Sequence, residues 1–150
     1  MREAAIISTA RTGLAKAMRG GFNKTHGITM GGHTVKHAIA KAGIEAGEVE
    51  DIIFGCGQPE AATGHNIGRN VAIAGGCPVT VPGTTINRFC SSGLQSIAVA
   101  AHRIIVDGVK VTIGGGVESI SMTQANMNYK HLVEPELQKV CPALWMPMIN

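Results

Sequence analysis

The sequence predicts an α/β fold. Three observations carry this. Short segments of β formers alternate with helix-period segments through the first 113 residues. Glycines punctuate the helical stretches, at Gly43, Gly75 and Gly108. Hydrophobic residues make up 45% of the 150 and mean hydropathy is +0.17, enough to bury a core.

Taken in order, Ala4 to Thr9 reads as a strand, ended by Arg11-Thr12-Gly13. A loop with Gly20-Gly21 follows. Residues 29–42 read as a helix, with Met30, Val35, Ala38, Ile39 and Ala42 spaced along one face and Gly43 as its stop. Asp51 to Gly57 is a short strand around Ile52-Ile53-Phe54. Asn66 to Ala74 is helical and stops at Gly75-Gly76-Cys77-Pro78. Gly83 to Asn87 is a strand of β formers. Ser92 to Val106 is a helix, and Val109 to Ile113 a strand ended by Gly114-Gly115-Gly116. The order β-α-β-α-β-α-β calls for crossover helices packed on a sheet.

The helix at 92–106 is apolar nearly all round: Leu94, Ile97, Ala98, Ala101 and Ile105 form one stripe, and Val99, Ala100 and Ile104 widen it. Such a helix is expected to be buried on most sides, and because a 150-residue domain seldom encloses a helix that fully, something larger is expected to close over it. Residues 118–150 differ in character, holding four of the seven Met, the single Trp and Tyr, and three of the six Pro. The chain finishes on the uncapped apolar run Trp145-Met146-Pro147-Met148-Ile149-Asn150, so residue 150 is read as a truncation point.

Composition limits the function classes. Charged residues are 15%, against about 25% in an average domain, so much of the surface is expected to face another chain or domain. Net charge is +3, no basic run exceeds two residues and aromatics are 3%, which disfavours nucleic-acid binding. No apolar run approaches the roughly 18 residues of a membrane span, and the N-terminus lacks a signal-peptide core. These features read as a soluble protein of the cytoplasm, with no membrane partner. Cys56, Cys77, Cys90 and Cys141 form no CxxC pair, so no zinc site or disulfide framework is expected. His33 and His37 stand four apart on a helix, but Thr34 occupies the place of the general base in an HExxH motif, and no metal is assigned.

Cys90 stands apart by context. It sits between a strand and a helix N-terminus, a recurring seat for a nucleophile. Free N–H groups of a first helical turn and the helix dipole favour negative charge on the sulfur and offer donors to an oxyanion. Ser91, Ser92 and Gly93 are small enough to admit a substrate. The commoner fate of a free cysteine is burial, and Cys56, Cys77 and Cys141 are read that way. Glu118, just past the glycine triplet, reads as a buried carboxylate bracing a loop. None of the histidines is assigned as a base.

The segment Ile86-Asn87-Arg88-Phe89-Cys90-Ser91-Ser92-Gly93-Leu94-Gln95-Ser96 closely resembles the acyl-enzyme segment of the thiolases, the acetyl-CoA acyltransferases. Ile6-Ile7-Ser8-Thr9-Ala10-Arg11-Thr12-Gly13 is similar to the family's opening strand and turn, with Gly13 where proline is usual. Gly64-His65-Asn66-Ile67-Gly68-Arg69 is similar to the stretch opening its second helix. Gly114-Gly115-Gly116-Val117-Glu118-Ser119-Ile120-Ser121 looks like its Gly-Gly-x-Glu-x-x-Ser segment.

The resemblance implies a thiolase-like N-terminal core domain over residues 1–121, layered α-β-α with a mixed sheet around a buried helix, and the incomplete start of an inserted loop domain at 122–150. It implies Cys90 as the acyl-thioester nucleophile, with Asn87, Ser91, Ser92, Gly93 and Glu118 supporting the active-site loop. The implied reaction is thiolytic cleavage of a 3-oxoacyl-CoA or condensation of two acetyl-CoA, with coenzyme A as substrate and no cofactor. It also implies a homodimer or homotetramer, for which Asn66, Arg69, Thr85 and Asn87 are candidate interface positions. The family's activating histidine and second cysteine belong to a second half that residues 1–150 do not contain, so this stretch alone is expected to be inactive. A ketoacyl synthase-like condensing enzyme is disfavoured by Asn87-Arg88-Phe89 and by the Glu118 segment. A noncatalytic thiolase-like binding protein would have no reason to keep a thiol at position 90.

Overall fold

The computed structural model describes residues 2–126 and 134–144. Its elements are α1 (Gly27–Ala42), β1 (Asp51–Gly55), α2 (Ile67–Ala74), β2 (Gly83–Ile86), α3 (Ser92–Ile105), β3 (Thr112–Gly116), α4 (Ile120–Thr123) and α5 (Pro135–Val140), with short 3-10 turns between. The apolar run at 145–150 lies outside the described residues, and only parts of the 122–150 segment lie within them.

The three strands form one parallel sheet in the order β2-β1-β3. Ile53 stands opposite Thr84 on one side and Gly114 on the other. The fold class is α/β as expected, but among the described residues every pairing is parallel, where a mixed sheet was expected. Each strand returns through a helix, and such crossovers bring strands back in the same direction.

Strand β1 is buried throughout, so its alternating side chains serve two faces. Ile52 and Phe54 join Val35 and Ile39 of α1, Ile67, Val71 and Ala72 of α2, and Cys77 and Val81 in the main core. Glycines let these layers close up: a Cβ on Gly31 of α1 would lie 2.5 Å from Val71. Asp51 points to the opposite face, where it pairs with Arg103 of α3 at 3.2 Å. The result is a three-layer α-β-α arrangement.

Helix α3 turns its small residues, not its apolar stripe, toward the sheet. Its buried residues are Ser92, Ser96 and Ala100, whereas Leu94 is 73% and Ile97 42% exposed. The sheet face beneath it explains the inversion. A Cβ on Gly55 would meet the Ser92 carbonyl carbon at 2.3 Å, and one on Gly114 would meet the Ile97 Cα at 2.7 Å. A helix seated this close to bare backbone leaves room only for serine and alanine.

Two strand predictions are corrected. The third glycine-flanked strand runs from Thr112, not Val109, and Gly114-Gly115-Gly116 lies inside it. These glycines make space for α3 and for the Phe54 ring, 2.5 Å from a Cβ on Gly115, and do not mark a turn. The N-terminal stretch Ala4 to Thr9 forms no strand and pairs with no described strand. It is tethered to α1 by Ser8 Oγ donating to the Ala38 carbonyl at 2.7 Å and by Lys41 Nζ reaching Thr9 O at 3.4 Å. A cavity of about 410 Å³ is lined by Ala4–Thr12 and Val111–Gly116, together with residues of α1 and α3. Helix α1 also starts two residues early, at Gly27, because His26 Nδ1 accepts from Ile28 N at 3.3 Å. Histidine is not a residue that signals a cap.

Candidate active site

The turn from β2 into α3 is built by short polar side chains. Asn87 Oδ1 accepts the Phe89 amide at 2.9 Å, the two-residue reach of an Asx turn. Ser92 Oγ accepts from the Arg88 amide at 2.8 Å and donates to the Phe89 carbonyl at 2.5 Å. Phe89 is thereby held at φ 48°, a left-handed conformation unusual for an aromatic residue. This kink sets the next residue, Cys90, on the exposed outside of the turn, directly before the first turn of α3.

The helix N-terminus is left open. Ser91, at the cap position, makes no side-chain capping bond. The amides of Ser91 and Ser92 return to Arg88 and Phe89, and that of Gln95 to Ser91, while no acceptor for those of Gly93 and Leu94 is seen among the described residues. Donors with no internal partner beside an exposed thiol suit a site where negative charge develops. Among the described residues no histidine hydrogen-bonds Cys90.

Glu118 follows β3 and reaches the loop after β1. Its Oε2 accepts the Gly57 amide at 2.8 Å and its Oε1 the Gln58 amide at 3.1 Å. The Cys56 thiol donates to Oε1 at 3.5 Å. Glu118 thus braces the loop after β1, and it is exposed where a buried carboxylate was expected. Gly57 is packed between this carboxylate and the Cys90 turn, since a Cβ there would lie 3.2 Å from Glu118 Oε2 and 3.3 Å from the Phe89 carbonyl oxygen. Gly57, Gln58 and Cys56 carry no signature in the sequence that ties them to position 118.

A family model described as thiolase, N-terminal domain, matches residues 4–140. The chain belongs to the thiolase family. It is 41% identical over 150 residues to a protein named 3-ketoacyl-CoA thiolase from Bacillus subtilis, covering 99% of this chain and 38% of that protein. It is 34% identical over 138 residues to a 3-ketoacyl-CoA thiolase of Acinetobacter baumannii, covering 92% and 35%. A 3-ketoacyl-CoA thiolase of Pectobacterium carotovorum is 32% identical over 127 residues, covering 84% and 33%. The chain therefore spans little more than a third of the length of these relatives.

Within this thiolase domain the four candidate interface positions separate into two groups. Asn66 caps α2, with Oδ1 accepting from Arg69 N at 3.2 Å and from Thr85 Oγ1 at 2.8 Å, while its Nδ2 donates to Gly83 O at 2.7 Å. Arg69 donates to the carbonyls of Val79 and Val81. These three residues tie α2 to the free edge strand β2. Asn87 belongs instead to the Cys90 turn. His33 and His37 are exposed neighbours on α1, their ring centroids 4.3 Å apart. No described helix is long and apolar enough to cross a membrane.

The remaining cysteines divide by burial. Cys56 and Cys77 are buried, whereas Cys141, read from the sequence as structural, is exposed. Burial pushes the Cys56 thiol up from 9.0 to about 11, and the Glu118 charge adds to the rise against a Thr63 hydrogen bond that lowers it. Burial also raises Cys77. A folded-state value above the unfolded one favours the protonated fold. This stability is fully present below pH 9 and is lost as pH climbs toward 11, by at most roughly 2–3 kcal/mol for Cys56. Urea unfolding between pH 8 and 10.5 should show a steeper loss for the wild type than for Cys56→Ser. Equal slopes would contradict this account.

Proposed function

We propose that this chain supplies the nucleophile-bearing part of a thiolase that exchanges acyl groups with coenzyme A. The observation that carries the reading is Cys90, an exposed thiol on a left-handed turn at the open N-terminus of α3. In the cleaving direction the Cys90 sulfur attacks the 3-oxo carbon of a 3-oxoacyl-CoA. The bond between C2 and C3 breaks, and its electron pair leaves on C2, which takes up a proton as acetyl-CoA departs. The acyl group stays on sulfur until the thiol of a second CoA displaces Cys90. Condensation of two acetyl-CoA is the reverse sequence. The unpartnered amides of α3, with that of Cys90, are placed to receive an oxyanion. The steps break or form the C2–C3 bond and transfer an acyl group and protons with no net oxidation or reduction, so coenzyme A enters as substrate and the chemistry calls for no metal or redox cofactor.

This reading takes residues 1–121 as the core domain and 122–150 as the start of an inserted loop domain, in a protein of the cytoplasm. Proton transfer needs a base from outside residues 1–150, so these residues alone are expected to release no CoA from acetoacetyl-CoA. The complete protein is expected to be a homodimer or homotetramer, with the β2 edge near Asn66, Arg69, Thr85 and Asn87 at the contact. Only monomer in sedimentation at micromolar concentration would exclude that.

The direct test is to incubate the complete gene product with labelled acetyl-CoA, quench in acid and map the label by peptide. One acetyl group per chain on Cys90 is expected. Label on any other residue, or none, would overturn the reading.

A further inference from the structure

The geometry points to Glu118 as a positioning residue for Cys90, acting through Gly57 on the left-handed turn at Phe89; the inference rests on the acyltransferase reading above. Three observations support it. The Glu118 carboxylate takes two backbone amides, Gly57 at 2.8 Å and Gln58 at 3.1 Å, and so fixes the loop leaving β1. Gly57 then lies against the Phe89 carbonyl, close enough that a Cβ would stand 3.3 Å from that oxygen. The same carbonyl accepts the Ser92 amide at 3.0 Å and the Ser92 hydroxyl at 2.5 Å, the bonds that hold the turn before Cys90.

The carboxylate thus stands one residue removed from the turn that carries the thiol. Its negative charge makes a second, opposite effect available. As a bare charge near the sulfur it would slow attack by Cys90, and its removal would speed it. As a brace it keeps the sulfur at the open end of α3, and its removal would slow attack. The two roles differ in sign, which makes them separable.

Glutamine at 118 keeps one acceptor but turns an amide donor toward the second backbone N–H. Alanine at 57 leaves Glu118 chemically intact and crowds both sides of the link, since its Cβ would stand 3.2 Å from Glu118 Oε2. Misplacement of a reacting group by about 1 Å costs on the order of 10²-fold in rate. Both variants of the complete gene product are therefore expected to acetylate Cys90 about 10- to 100-fold more slowly, with KM for acetyl-CoA within about twofold.

Limiting iodoacetamide with peptide mapping supplies a readout independent of activity. The ratio of Cys90 to Cys141 alkylation should fall in Glu118→Gln and Gly57→Ala, while buried Cys56 and Cys77 stay as protected as in the wild type. Wild-type acetylation and alkylation in Glu118→Gln would overturn the inference, as would faster alkylation of Cys90, the mark of a charge effect alone. Cys56 and Cys77 reacting as fast as Cys141 would also overturn it, by showing general loosening. If the wild type takes no acetyl group on Cys90 but the alkylation ratio still falls, the acyltransferase reading fails and the positioning role stands.

Discussion

Cys90→Ser in the complete gene product abolishes acyl transfer and leaves the fold unchanged. The substitution is nearly isosteric, and the position is exposed, so no core contact is lost. No partner is lost either, because no hydrogen bond to the Cys90 thiol is seen among the described residues. What changes is nucleophilicity: a serine hydroxyl is a poor nucleophile without a dedicated strong base, and among the described residues no histidine hydrogen-bonds position 90. The expected loss is on the order of 10³-fold or more, about 4 kcal/mol of barrier. Stopped-flow release of CoA from acetyl-CoA measures it, and a urea unfolding midpoint matching the wild type confirms that folding is intact. Acyl transfer within tenfold of wild type would show that another group carries the acyl chain.

The parts of this architecture that were legible in the sequence are those governed by local pattern. α1, α2 and α3 declare themselves by spacing and by the glycines that stop them, and β1 by its run of Ile52-Ile53-Phe54. The Cys90 turn is legible for the same reason, since Asn87, Ser91, Ser92 and Gly93 are residues a chain uses to leave a strand and enter a helix. The errors share another cause. Leu94 and Ile97 read as faces that something larger covers, and which face of α3 meets the sheet was not legible: it is Ser92, Ser96 and Ala100, because the sheet surface beneath is glycine backbone. Periodicity reports which faces are apolar, and only the partner decides which face is covered. Ala4 to Thr9 has strand composition, but a ladder needs a neighbour, and this stretch pairs with no described strand. The Glu118 brace joins residues 60 and 61 positions apart, a separation over which spacing carries no information.

Gly55→Ala is expected to be the most damaging of the small substitutions in the sheet, and for a reason the same geometry supplies. The new Cβ would stand 2.3 Å from the Ser92 carbonyl carbon, 2.4 Å from its oxygen and 2.7 Å from the Gly93 nitrogen. All three are backbone atoms of the first turn of α3, so no side chain can rotate aside. Overpacking of this kind costs about 1–3 kcal/mol when neighbours yield, and a clash with backbone on both sides belongs at or above the top of that range. Relief requires α3 to slide from β1, which carries the open amides of Gly93 and Leu94 away from Cys90. Stability and chemistry are therefore expected to fall together, with the unfolding free energy from urea titration lowered by about 3 kcal/mol and the acetylation of Cys90 slowed. Gly13→Ala is the matched control. A Cβ there meets nothing within 4 Å. Removing a glycine from such a position changes stability by a gain of about 0.4–1 kcal/mol at most, through the unfolded chain. Gly55→Ala as stable as Gly13→Ala would mean that α3 does not rest on β1 at this distance, and the support assigned to the Cys90 turn would fall with it.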